Sequence, residues 1–217
     1  MKIMKFGGTS VGKPERMRQV SQLITADSEP KIVVLSALSG TTNALVEIGQ
    51  AISSGDRTKA KELIDRLEAH YAAFITALVT KQKPLAKAKA IVAEHFEFLN
   101  IILKISFSEA LSKDILAQGE LLSTKLFSVF LEENGVDHLL LPALEFMSID
   151  SHDEPQINSI KTRLTQLLQQ HKDKTLFVTQ GYICRNSRGE VDNLKRGGSD
   201  YTASLIAAAI TASVCEI

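Results

Sequence analysis

KIVVLSALSGTTN, residues 31–43, reads as a strand, a turn and the start of a helix. Ile32, Val33, Val34 and Leu35 form an apolar, mostly β-branched run with no polar alternation. That is the pattern of a strand buried on both faces. Residues 36–40 form a loop of mostly small residues, and a helix is expected from about Asn43. The chain opens on the same kind of unit. Residues 2–6 predict a short strand, Gly7-Gly8 a turn, and from Val11 onward Met17, Val20 and Ile24 recur at helical spacing.

Working outward, the middle of the chain predicts helices. Leu63, Leu67, Tyr71, Phe74 and Leu78 mark the first, and Val92, Phe96, Leu99 and Leu103 the second. Leu122, Leu126 and Val129 mark a third, which stops near Asn134-Gly135, a C-terminal signal. Residues 139–141, 175–179 and 213–217 predict strands, the last of them buried, and residues 157–168 and 201–210 predict helices. Strands alternating with helices indicate an α/β fold, with a mostly parallel sheet sandwiched by helices. Residues of about 57–115 read as a helical insert. A final run, Val214-Cys215-Glu216-Ile217, that looks like an unfinished buried strand predicts a truncated domain; a short edge strand is the alternative.

Composition narrows the function. The 217 residues are 44% hydrophobic and 23% charged, and 25 basic residues balance 25 acidic ones. A neutral chain has no general pull toward nucleic acid or an anionic membrane, so neither is expected as a partner. Any anion must be held by a local arrangement of charges. Cys184 and Cys215 are too few for a disulfide framework, and MKIMKFGGTS has no apolar core of a signal peptide. A cytoplasmic protein with reduced thiols is expected. The five histidines show no metal-ligand spacing, and no residue is assigned to a metal.

Ligands of open α/β sheets bind beyond the C-terminal ends of the strands, and three stretches fall there. In Lys5-Phe6-Gly7-Gly8-Thr9-Ser10 the glycines allow close backbone approach, and their N–H groups with a helix N-terminus suit an anion beside the Lys5 charge. The GxxxxGK[ST] spacing of a Walker A loop is absent. An ordinary glycine turn is the alternative. In SALSGTTN, residues 36–43, backbone and hydroxyl donors suit a carboxylate or phosphate; capping by Thr41, Thr42 or Asn43 is the alternative. In Leu194-Lys195-Arg196-Gly197-Gly198-Ser199-Asp200-Tyr201, Arg196 can grip a carboxylate or phosphate with two bonds, and Asp200 can fix a nearby lysine. A fourth feature is Glu120, in an apolar helical stretch, where a buried carboxylate needs a partner. A substrate ammonium group is one candidate, and a solvated helix residue is the bland reading.

Together, KFGGTSV (5–11), VVLSALSGTTNAL (33–45), QGELLS (118–123), TQGYI (179–183) and RGGSDYTA (196–203) resemble the aspartate kinases of the amino-acid kinase family, in the family's order. The resemblance implies a carbamate-kinase-like fold. It implies transfer of the ATP γ-phosphoryl group to the side-chain carboxylate of L-aspartate, with Mg²⁺ accompanying ATP. Under it, Lys5 stabilises charge on the moving phosphoryl group, and Gly7, Gly8 and Ser10 hold ATP phosphates. Ser39 and Thr42 line the aspartate site. Glu120 binds the substrate ammonium. Arg196 clamps a substrate carboxylate with Gly197 and Ser199 assisting, and Asp200 orients catalytic lysines. The two turns 5–10 and 196–200 must then lie side by side.

The resemblance also sets the domain expectation. Residues 1–217 would be the N-terminal, amino-acid-binding portion of a catalytic domain. The nucleotide-binding half and the regulatory domains would be absent, and the parent would be a homo-oligomer in lysine and threonine biosynthesis. The chain alone is therefore expected to have little or no kinase activity. Lys195 stands where the family usually has glycine, which adds a charge near the site. A sister kinase of the same family and a non-catalytic amino-acid-binding module are the competing readings.

Overall fold

The computed structural model describes residues 1–195 and 197–217. In chain order it begins with β1 (Lys2–Phe6), α1 (Gly8–Val11), α2 (Pro14–Ile24), β2 (Lys31–Leu35) and α3 (Thr41–Ser53). Three long helices follow: α4 (Arg57–Leu78), α5 (Gln82–Ile102) and α6 (Glu109–Glu133). Then come β3 (Leu139–Leu141), α7 (Ala143–Phe146), α8 (Ile157–Gln170), β4 (Leu176–Gln180), β5 (Ile183–Arg185) and β6 (Val191–Asn193). The chain closes with α9 (Gly198–Ile210) and β7 (Val214–Glu216).

The sheet has five strands in the order β3-β4-β2-β1-β7, and each neighbouring pair is parallel. Alternate residues of the strands serve two cores. Met4, Val33, Leu35 and Val178 pack with α2 to α6 on one face. Ile3, Ile32, Val34 and Phe177 pack with α8, α9 and the β5–β6 hairpin on the other. Two covered faces are why β2 reads as a continuous apolar run. The register puts Phe6, Leu35 and Gln180 side by side. The backbone extends that row by one step: Ser36 N–H donates to Phe6 O at 3.2 Å and Gly181 N–H to Leu35 O at 2.8 Å. The three turns after β1, β2 and β4 therefore start level with one another.

The expected elements are present, with four shifts. The first helix is split: α1 ends at Gly12 and α2 restarts at Pro14, a residue preorganised for a first helical turn. Two helices begin earlier than the apolar spacing predicts. Gly40 (φ 85°) starts α3 at Thr41, and Gly197 (φ 81°) starts α9 at Gly198. The last strand, expected to be buried, is exposed along its length and pairs with β1 at the sheet edge.

One buried charge ties the lower end of the sheet. Lys31, 1% exposed, donates from Nζ to Ile24 O at 3.0 Å and pairs with Asp27 Oδ1 at 2.7 Å. It thereby caps the C-terminal end of α2, where a cation also meets the negative end of the helix dipole. Lys31→Met keeps the length and loses the donors. It is expected to lower the unfolding free energy by about 2–3 kcal/mol, measured by urea denaturation. A change below about 0.5 kcal/mol would mean the ammonium adds nothing there.

Candidate functional site

Glycine contacts bring the three turns together. A Cβ on Gly8 would lie 2.9 Å from Ala37 O, so the first turn fits against the second only without a side chain. Ser39 N–H donates to Gly8 O at 3.2 Å across the same gap. A Cβ on Gly181 would lie 2.6 Å from Ser199 Cβ and 2.9 Å from Ser199 Cα, which locks the turn after β4 to the start of α9. Gly181→Ala must push backbone as well as a side chain. It is expected to destabilise the fold by about 1–3 kcal/mol, read from the urea midpoint at unchanged slope. An unchanged midpoint would show that this contact is loose.

Helix α6 grips the second turn from above. Gly119 passes close to Ala37, where an added Cβ would meet the Ala37 Cβ at 2.8 Å. Ser123 Oγ donates to Ser36 O at 2.7 Å, and Ala37 N–H donates to Glu120 Oε1 at 3.2 Å. On the far side, the Thr41 and Tyr71 hydroxyls meet at 3.0 Å, which links the turn to α4. The N-cap residues of α3 and α9 are glycines and offer no side-chain cap; Thr41 N–H donates instead to Leu38 O at 3.0 Å and Asp200 N–H to Gly197 O at 3.0 Å.

These elements enclose a cavity of about 680 Å³ at the C-terminal end of the sheet. Lys5, Gly8, Ser39, Thr42, Glu120, Gly197, Ser199 and Asp200 line it, as do Lys195 and Asn43. Lys5 Nζ lies 2.5 Å from Asp200 Oδ1 and directly over Gly7, whose added Cβ would be 3.4 Å from it. This is an ion pair, since no aligned hydrogen bond reaches the Asp200 Oδ1. The turns 5–10 and 197–200 are thus neighbours, with Lys5 turned toward Asp200. Ser10 falls outside this cavity and lines an adjacent one with Lys13 and Arg16. Arg196 lies outside the described residues.

Glu120 is the unusual group. It is 3% exposed, and its Oε2 has no hydrogen-bond partner among the described residues. Burial pushes its carboxyl up to about 7, despite the opposing bond from Ala37 N–H. A buried carboxyl held above the usual carboxylate range, with one oxygen unpartnered beside a polar cavity, suits a cationic partner.

The sequence did not single out three wall residues. Tyr182 holds a positive φ of 68°, fixed by its N–H donating to Thr202 Oγ1 at 2.9 Å and its carbonyl accepting from Leu194 N–H at 2.7 Å. A Cβ on Gly198 would strike its ring at 2.6 Å. TQGYI marked the segment without marking that conformation. Asn193 carries no signal in the sequence, and Asn43 stands there only within residues 36–43 and as a possible cap. The histidines His95 and His138 bond within the scaffold, and burial pushes the Cys184 thiol up to about 12. Among the described residues no group of three His, Cys, Asp or Glu is placed to hold a metal, and no helix is long and apolar enough to cross a membrane.

Known proteins share this fold. The amino acid kinase family matches residues 1–217. The chain is 30% identical over 220 residues to lysine-sensitive aspartokinase 3 of Escherichia coli (strain K12), covering 99% of this chain and 48% of that protein. It is 32% identical over 207 residues to the bifunctional aspartokinase/homoserine dehydrogenase 2 of the same organism, covering 94% of this chain and 25% of that protein. The structure of E. coli aspartokinase III in complex with aspartate and ADP superposes with a TM-score of 0.84 at 29% identity, over 99% of this chain and 48% of that one. The chain thus spans half or less of the length of these relatives.

Proposed function

Because the chain belongs to the amino acid kinase family, we propose that it forms the amino-acid-binding part of an aspartate kinase site. The reaction passes the γ-phosphoryl group of ATP to the side-chain carboxylate of L-aspartate and yields 4-phospho-L-aspartate and ADP. One observation carries this reading: Lys5, from the end of β1, and Glu120, from α6, whose Oε2 has no hydrogen-bond partner among the described residues, line one cavity.

Each residue has a chemical task. Glu120 Oε2 accepts from the substrate ammonium, and Ser39 and Thr42 supply hydroxyl donors to its carboxylates. Arg196, with Gly197 and Ser199, holds the α-carboxylate. The side-chain carboxylate is ionised at pH 7, its ordinary pKa being about 3.9, and needs no general base. One of its oxygens bonds to the γ-phosphorus as the bond to the ADP oxygen breaks. Catalysis is then positioning and charge neutralisation. Lys5 neutralises the phosphoryl oxygens, and Asp200 holds Lys5 in place. The Gly7 and Gly8 amides and Ser10 hold the ATP phosphates. The described residues offer no ligand cluster for Mg²⁺, which fits here only as a companion of the phosphates.

The same reading extends to a cytoplasmic route to lysine and threonine and to a homo-oligomer that neither nucleic acid nor membrane engages; its support is that the relatives are named aspartokinases, one of them lysine-sensitive. The nucleotide base and ribose would meet a second, C-terminal half of the domain. Titration calorimetry tests the substrate. L-Aspartate is expected to bind the chain saturably, and L-glutamate, one methylene longer, about 10-fold more weakly. Equal affinity for the two, or none for either, would remove aspartate as the substrate.

A further inference from the structure

Asn193 is the last residue of β6, paired across the hairpin with Ile183, and it is one of the residues that line the cavity. Lys113, on α6, reaches it: Lys113 Nζ lies 3.4 Å from Asn193 Oδ1 and 2.9 Å from Asp192 Oδ1. An ammonium can only donate, so the carboxamide must turn its oxygen to Lys113 and its NH₂ the other way. That nitrogen is buried and finds no acceptor among the described residues. Buried donors in native folds are nearly always satisfied, and an exception calls for an explanation.

The Glu120 Oε2, in the same cavity, is an acceptor without a donor. Asp200 Oδ1 also lacks a hydrogen bond but is paired with the Lys5 ammonium, so among the described residues of the wall this leaves one donor, Asn193 Nδ2, and one acceptor, Glu120 Oε2, with no partner of either kind. A molecule with a carboxylate and an ammonium group supplies both. We propose that Asn193 Nδ2 donates to a carboxylate of the bound amino acid, and that Lys113 is a positioning residue that sets the amide. This rests on the reading of the cavity as an amino-acid site and adds a contact to it.

L-Aspartate titrated into the wild-type chain, N193A, N193D, K113M and K113R decides the matter. N193A loses the donor, and its Kd is expected to rise about 10-fold, as for one charge-assisted bond. N193D keeps the size and places a negative charge against the carboxylate, and its Kd is expected to rise by at least about 50-fold. K113M should weaken binding about 3-fold, and K113R, which retains donors, should restore it. A purely structural lysine would change the unfolding temperature and leave the Kd alone. Circular dichroism checks each fold; should N193A fail to fold, N193D decides alone. Wild-type binding with both Asn193 variants within about twofold of it would overturn this proposal and leave the site reading standing. A wild-type chain that binds no L-aspartate would overturn both.

Discussion

In the enzyme that carries this chain, Lys5→Ala is expected to lower ADP release from ATP and L-aspartate by at least about 10²–10³-fold, the usual effect of removing one preorganised charge donor. The loss should fall on kcat. On the proposed reading Lys5 would face the charge that builds on the phosphoryl group, whereas Glu120 and the hydroxyls of the second turn would face the amino acid, so the KM for L-aspartate should move little. The Lys5 ammonium lies over Gly7 with the space of one absent Cβ beneath it and Asp200 Oδ1 at its side. A planar guanidinium is longer and bulkier than an ammonium and would carry the charge to a different place, so Lys5→Arg should fail to rescue. Asp200→Asn keeps the cation and removes its anchor, and a smaller loss of about 10-fold is expected. The Asp200 side chain is half exposed, so the ion pair itself adds little stability. A coupled assay of ADP formation measures all three variants. Turnover within about threefold of wild type in Lys5→Ala would take Lys5 out of the chemistry.

The sheet was legible because its signals are local. An unbroken apolar run such as IVVL requires two covered faces, and the glycine pair that follows β1 marks where another backbone comes close. The juxtaposition of Lys5 with Asp200 followed from the family resemblance. In the structure, level registers of β1, β2 and β4 produce it. Helix starts were less legible. Gly40 and Gly197 begin α3 and α9 in a left-handed conformation, and no side chain announces the cap. The exposure of β7 was illegible for a different reason: Val214 and Cys215 fit a buried strand, and only the sheet order puts them at an edge. Glu120 shows the limit best. Its neighbours in the sequence are mostly apolar, yet a lone carboxylate there also reads as a solvated helix residue, and its burial goes with the packing of Gly119 on Ala37. Asn193 depends on which side of a hairpin meets the cavity, and one strand of three residues cannot encode that.

Glu120 should make the empty fold lose stability as pH rises. An ordinary glutamate in the unfolded chain titrates near 4.5, and burial raises the folded value to about 7. Between these two values the folded chain holds a proton that the unfolded chain has released. Stability is then fully present below about 4.5, falls as pH rises, and levels off above about 7. The full change is on the order of 3 kcal/mol. Glu120→Gln cannot ionise, so the difference in unfolding free energy between variant and wild type should grow across that window and stay constant above it. Ligand reverses the logic. An ammonium against Oε2 favours the charged carboxylate, so L-aspartate binding near pH 6 should release a proton. Calorimetric heats would then change with the ionisation enthalpy of the buffer in wild type and not in Glu120→Gln. The same variant should bind L-aspartate roughly 10²-fold more weakly, since a neutral amide replaces a buried charge facing an ammonium. Parallel stability curves would mean that Glu120 titrates alike in both states. Unaltered affinity would mean that its free oxygen faces no ammonium. Either result would separate the burial of this carboxylate from the recognition of the amino acid.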